Sequence, residues 1–130
     1  SGTAGGLAFR LALLSPGYET AAPKRKPADQ QEAFLIGLAR GDLAGTTPQD
    51  SMARAIAPAF TTPQPDAEAL ALHADGRLGE ALLLAIDRIG KGVQGEPRGV
   101  AEGLAFLRHV GLEDVARRTA LELLLLERRG

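Results

Sequence analysis

The 130-residue sequence contains no cysteine and no tryptophan, and aromatic residues make up 4% of it. Without cysteine, thiolate metal sites, redox dithiols and cysteine nucleophiles are excluded. Valine and isoleucine are scarce, whereas alanine and leucine together supply about a third of the chain. The residues that fit a pleated sheet are therefore missing and those that favour a helix abound, so the expected class is all-α. Neither charge sign dominates: 15 basic residues against 16 acidic ones leave a net charge of -1. That balance gives no global electrostatic reason to seek nucleic acid or anionic lipid. Long apolar runs are lacking too. The stretch from Leu7 to Leu14 is interrupted by Arg10 and is far too short to span a bilayer, so no membrane-spanning segment is expected.

What remains is 45% hydrophobic and 24% charged, the balance of an ordinary soluble chain. Its length makes room for one compact domain or a string of small helical units, with no need of a disulfide or metal. Twelve of the 15 basic residues are arginine, which together with the alanine richness suggests a GC-rich bacterial genome. The opening Ser1-Gly2 looks like a protease-cleavage scar, so the expectation is a trimmed piece of a larger bacterial protein. No compartment follows from these features.

Punctuation along the chain divides it in two. Residues 4–14 read as a short helix with Leu7, Leu11 and Leu14 on one face, stopped by Ser15-Pro16-Gly17. Pro16, Pro23 and Pro27 around the basic triplet Lys24-Arg25-Lys26 predict a solvated linker. Residues 1–27 are thus an N-terminal helix and Pro-rich linker, and residues 28–130 a helical-hairpin domain. In the latter, a helix over 28–40 ends at Gly41. Another starts with Thr47 as N-cap, Pro48 at the first position and Asp50 closing a capping-box-like arrangement, and stops near Pro58. Helices over 66–75 and 78–89 follow, and Gly90, Gly92 and Gly95 are expected to break the chain. Pro97 restarts it, and helices run to Val110 and from Leu112 to about Arg128, with Gly111 between them.

The helix-ending glycines Gly41, Gly76 and Gly111 are separated by equal steps of 35 residues. Leu72 aligns with Leu107, Ala81 with Ala116, Ala85 with Ala120 and Ile86 with Leu121. Alanine-sized residues at such places let two helices of a hairpin approach closely. Gly76-Arg77-Leu78-Gly79-Glu80-Ala81 followed by Ala85 resembles the turn and second helix of a tetratricopeptide repeat, and Gly111 to Ala116 followed by Ala120 resembles it more loosely. The resemblance spans residues 31–128 in degenerate form, with Thr46 at the alanine position of the first unit and without the family's characteristic aromatic residues. It implies stacked antiparallel helical hairpins, α-solenoid-like with a period of about 35, plus the extra N-terminal helix. It also implies a scaffold that binds peptides or proteins on a concave surface without catalysis.

Constellations with chemistry are few. Gly90-Lys91-Gly92-Val93-Gln94-Gly95 matches G-x-G-x-x-G, but that motif needs a strand before it. The preceding Leu78, Ala81, Leu82, Ala85, Ile86 and Ile89 follow helical spacing, so an inter-hairpin loop without nucleotide affinity is expected. His73 and His109 have no i, i+4 ligand partner, and Glu68, Asp75, Glu80 and Asp87 read as solvated carboxylates. Ser51 has no histidine nearby in sequence to activate it, and the glycine of Arg40-Gly41-Asp42 is explained as a helix cap. No catalytic residue, metal site or cofactor is expected.

Two surfaces are left over as partner-binding candidates. In the fifth helix of the hairpin domain, Val100, Leu104 and Leu107 face the core, while Arg98, Glu102 and His109 point the other way. In the last helix, Leu112, Val115, Ala116, Thr119, Ala120, Leu123 and Leu124 form the packed stripe. Leu121 and Leu125 then fall opposite it among Asp114, Arg117 and Arg118, to be covered by the N-terminal helix or by a partner. The function expected is a non-catalytic protein-protein interaction scaffold or adaptor, with a protein or peptide partner or a second copy of the chain. The alternative is a small helical enzyme or ligand-binding bundle with a site between helices.

Overall fold

The computed structural model describes residues 2–21 and 26–126, and all regular structure among them is helical. In chain order the helices are α1 (Gly2–Leu13), α2 (Tyr18–Ala21), α3 (Gln30–Arg40), α4 (Ser51–Ile56), α5 (Pro58–Thr61), α6 (Ala67–Ala74), α7 (Leu78–Gln94), α8 (Arg98–His109) and α9 (Glu113–Leu126). Pro23, Lys24, Arg25 and the expected helix end at Arg128 lie outside the described residues. Three aspartates start helices by the same chemistry. Asp29, Asp50 and Asp66 each accept a hydrogen bond from the backbone N–H three residues on, which satisfies one of the free donors of the first turn. Asp50, and not Thr47, is therefore the N-cap of α4. Gly41, Gly76 and Gly111 follow the ends of α3, α6 and α8 with φ of 74°, 77° and 87°, the left-handed conformation in which a side chain is strained.

The centre of the bundle is the pair α7–α8. A Cβ on Gly103 would lie 2.6 Å from the Ala85 carbonyl oxygen and from Ile89, and one on Gly92 would lie 2.6 Å from Val100. A Cβ on Gly99 would collide with the Arg88 carbonyl oxygen. Three glycines and Ala85 thus let one backbone rest on the other, and the expected break at Gly90 and Gly92 is corrected. α7 continues to Gln94, because at Gly92 the missing side chain serves a helix crossing and not a turn. Only Gly95 ends the helix.

α8 is buried over Gly99, Val100 and Gly103 to Leu107, with α9 on one side and α4 and α5 resting on it. α3 packs against α9, and a loop over 41–50 with a turn at Ala44-Gly45 separates it from α4. The buried face of α9 also differs from expectation. Ala116, Ala120, Leu121 and Leu124 are buried, whereas Val115 is exposed. Leu121 has no exposed surface, and its core cluster includes Phe9, Leu13, Tyr18 and Leu38, with Leu125 packed half-buried against it. The side of α9 expected to be polar is where earlier segments dock. The Tyr18 hydroxyl donates to the Asp114 carboxylate at 2.6 Å, and Arg117 packs on Gly41 and donates to the Ala39 carbonyl oxygen at 3.4 Å. Burial and the Asp114 carboxylate both push the Tyr18 hydroxyl pKa well above its ordinary value.

The N-terminal segment is corrected in the same way. Among the described side chains of α1, Phe9 and Leu13 are buried and Leu11 is 59% exposed, while the side chain of Leu7 lies outside those described. The stretch after it is no simple linker, since α2 forms there and Tyr18 is among the most buried side chains.

One substitution made twice tests this packing. Gly90 lies inside α7 with open space around its Cβ position, so Gly90→Ala should raise dilute-solution stability by about 0.5–1 kcal/mol. Gly103→Ala must push α7 away and should lower stability by about 1–3 kcal/mol. Urea unfolding of both variants checks the opposite signs.

Candidate functional site

Arg98 and Glu102 occupy successive turns at the start of α8, opposite the buried Val100 and Leu104. They form an i, i+4 ion pair at 3.5 Å, with the Arg98 side chain 89% exposed. Together they edge an open cleft of about 350 Å³ between α8 and the α4–α5 segment. Ala55, Pro58, Pro97 and Ala101 give it an apolar lining, and Arg54 adds a second guanidinium. Arg54 makes no ion pair among the described residues. On their other side, Arg98 and Glu102 border a more open hollow against Arg88 and Glu96.

The far end of the cleft is closed by the segment 62–66, which contributes Thr62 and Gln64 to its lining. Prolines at 63 and 65 keep this segment out of a helix. Its last residue ties it to α8, because the Asp66 N–H donates to the Glu102 carbonyl oxygen at 3.1 Å. The Asp66 carboxylate is buried, and besides capping α6 it accepts from Arg88 Nε at 2.9 Å. Arg88 reaches on to Glu68 at 2.6 Å, and these carboxylates hold its guanidinium pKa above the ordinary value. Asp66 and Arg88 thus position the cleft wall. Its place after Pro63-Gln64-Pro65, at the start of a helix, is a signal that could have marked Asp66 as a cap, whereas nothing in the sequence pairs it with Arg88, 22 residues on.

His109 lies beyond this segment, in an adjoining cleft of about 310 Å³ lined by Pro63, Pro65, Arg108 and Glu113. The two histidines do meet: the His73 and His109 rings are 6.5 Å apart, edge to face, with Phe106 beside both. Among the described residues no group of three or more His, Cys, Asp or Glu is placed to hold a metal ion. The nearby carboxylate is engaged elsewhere. Glu113 accepts from Arg108 Nε at 2.8 Å and from Arg117 Nε at 2.6 Å. Arg108 also donates to the Ala59 carbonyl oxygen at 2.8 Å and stacks 4.6 Å over the Phe60 ring. Burial alone would raise the Glu113 pKa, but the two guanidinium hydrogen bonds outweigh it and hold the carboxyl below its ordinary value.

Of the residues singled out from sequence, Arg98 and Glu102 share a cleft and His109 borders its neighbour. Leu121 and Leu125 stand apart from both, in and against the core. Glu68, Glu80 and Asp87 pair with Arg88, Arg77 and Lys91 respectively, which leaves no adjacent pair of free carboxylates among them. No helix among the described residues is long and apolar enough to cross a membrane. No family model, curated protein or solved structure matches the chain.

The lowered pKa of Glu113 sets a pH dependence. A carboxyl held below its unfolded value adds stability that is full above that value and is lost as pH falls through the folded one. Glu113→Gln should therefore destabilise the chain at pH 7, and the gap to wild type should close below the ordinary value of 4.5, as read by urea unfolding across pH.

Proposed function

We propose that the chain is a non-catalytic protein-interaction module of a larger bacterial protein, built as a degenerate tetratricopeptide-like array, and that it holds an extended peptide in the α4–α8 cleft. The observation that carries this reading is the placement of Arg98 and Glu102 with Arg54 around an apolar lining. An extended chain offers apolar side chains to such a lining, and a carboxylate on it matches the two guanidinium groups. Support for the array comes from the three left-handed glycines at 35-residue steps. Further support comes from the four fully buried alanines Ala81, Ala85, Ala116 and Ala120, at equivalent places in the second and third units. In this reading α6–α7 and α8–α9 are the two regular hairpins, and the first unit has lost its pairing.

The alternative of a small helical enzyme requires a convergent histidine–carboxylate pocket. His109 and Glu113 do border one cleft, but Arg108 and Arg117 each bond one Glu113 oxygen and hold the carboxyl ionised, so it is a poor base. The adaptor reading is favoured for that reason.

Selection of peptides from a random displayed library tests the proposal. Enriched peptides should carry an acidic residue beside apolar ones, and Arg54→Glu/Arg98→Glu should weaken their binding at least about tenfold, read by calorimetry. Failure to enrich any peptide, or equal binding by the double variant, would contradict it.

A further inference from the structure

The exposed face of α7 carries large apolar side chains that the fold leaves uncovered. Leu83 is 69% and Ile86 59% exposed, and both lie on one stripe with Gly79 and Gly90. The spacing along that stripe is four, three and four residues, which keeps a seam on one side of a helix. The two glycines are unlike those facing α8: a Cβ on either would meet nothing within 4 Å. No contact among the described residues therefore accounts for the missing side chains, although alanine would suit the helix better, above all at Gly90 in its interior.

The stripe has a symmetry that points to its occupant. Reversed in direction, Gly79-Leu83-Ile86-Gly90 reads Gly-Ile-Leu-Gly at the same spacing. A two-fold axis between residues 84 and 85 therefore sets Leu83 against Ile86 of a second copy and Gly79 against its Gly90, twice over. That is the self-complementarity an isologous contact requires, in which one residue meets another and is met by it in return. The glycines at both ends let the two backbones approach, while the leucine and isoleucine fill the middle. The flanks agree with this arrangement. On one side Leu82 and Ile89 lead into an apolar groove of about 280 Å³ completed by Leu107, Leu112 and Val115. On the other side Glu80 is paired with Arg77 and Asp87 with Lys91, so the acidic groups brought together by the axis are each already neutralised.

We propose that two copies of the chain associate through antiparallel α7 helices along Gly79, Leu83, Ile86 and Gly90. The contact is separate from the peptide cleft on α8 and does not depend on it.

Sedimentation equilibrium of the full chain up to about 1 mM should give a concentration-dependent dimer. Leu83→Glu/Ile86→Glu should weaken it at least about tenfold while leaving the helical circular dichroism and melting of the dilute chain intact, because both side chains are exposed. Gly90→Ala should also weaken the dimer, although it stabilises the dilute chain, an opposition of sign that a mere folding effect cannot produce. The register is read by mixing Gly79→Cys and Gly90→Cys chains under mild oxidation, where the mixed disulfide should form in preference to either like pair. A monomer across the whole concentration range would overturn the proposal. So would a dimer indifferent to Leu83→Glu/Ile86→Glu, or a preference of the Gly79→Cys chain for itself.

Discussion

The fold depends on the contact of two backbones. Where α8 crosses α7, the carbonyl oxygens of Ala85 and Arg88 lie where the side chains of Gly103 and Gly99 would stand, and Gly92 admits Val100 in the same way. Dispersion between atoms falls away within an ångström of added distance, so removing side chains at these points brings the flanking residues into full contact. Leu104, Ala105, Phe106 and Leu107 are buried along with the glycines. With α7 on one side and α9 on the other, α8 supplies the floor on which α4 and α5 rest. Its outer face, bearing Arg98 and Glu102, is thereby fixed as one wall of the cleft.

Around this centre, charged side chains act as fasteners between segments distant in sequence. Glu113 joins Arg108, which holds α5 through the Ala59 carbonyl and the Phe60 ring, to Arg117, which reaches α3. Asp66 joins the segment 62–66 to α6, α7 and α8 at once. Each of these carboxylates meets at least two donors, the condition under which a poorly solvated charge avoids a large desolvation penalty. The N-terminal segment is held by Phe9, Leu13 and Tyr18 in the core, by the hydrogen bond from Tyr18 to Asp114 and by the exposed pairing of Glu19 with Arg117.

The parts of this structure that were legible in the sequence are those set by local chemistry. The all-helical class followed from composition, and the turns at Gly41, Gly76 and Gly111 from glycine at helix ends, where only the backbone conformation matters. The misread places are those where a distant segment decides. Gly92 looked like a breaker because glycine marks both turns and close crossings, and the residues that distinguish the two uses, Val100 and Gly99, lie beyond the next turn; Gly90 faces open space and is carried inside the same helix. Leu121 was placed off the packed stripe, to be covered by the N-terminal helix or by a partner, because a helical wheel assigns faces without knowing that Phe9, Leu13, Tyr18 and Leu38 will share its core cluster. At the candidate site, Arg98 and Glu102 were legible because helical spacing alone opposes them to Val100 and Leu104. Arg54, Asp66 and Arg88 were not, since their roles arise only when separate helices come together.

Residue-resolved amide hydrogen exchange under native conditions tests the central place of the α7–α8 contact most directly, since exchange by global unfolding marks the last structure to open. The slowest amides should be those of Gly103 to Leu107 together with Ala85 to Gly92 facing them, and α1 and α2 should exchange much sooner. Slowest exchange in α3 or α6, with α8 opening before them, would contradict the account.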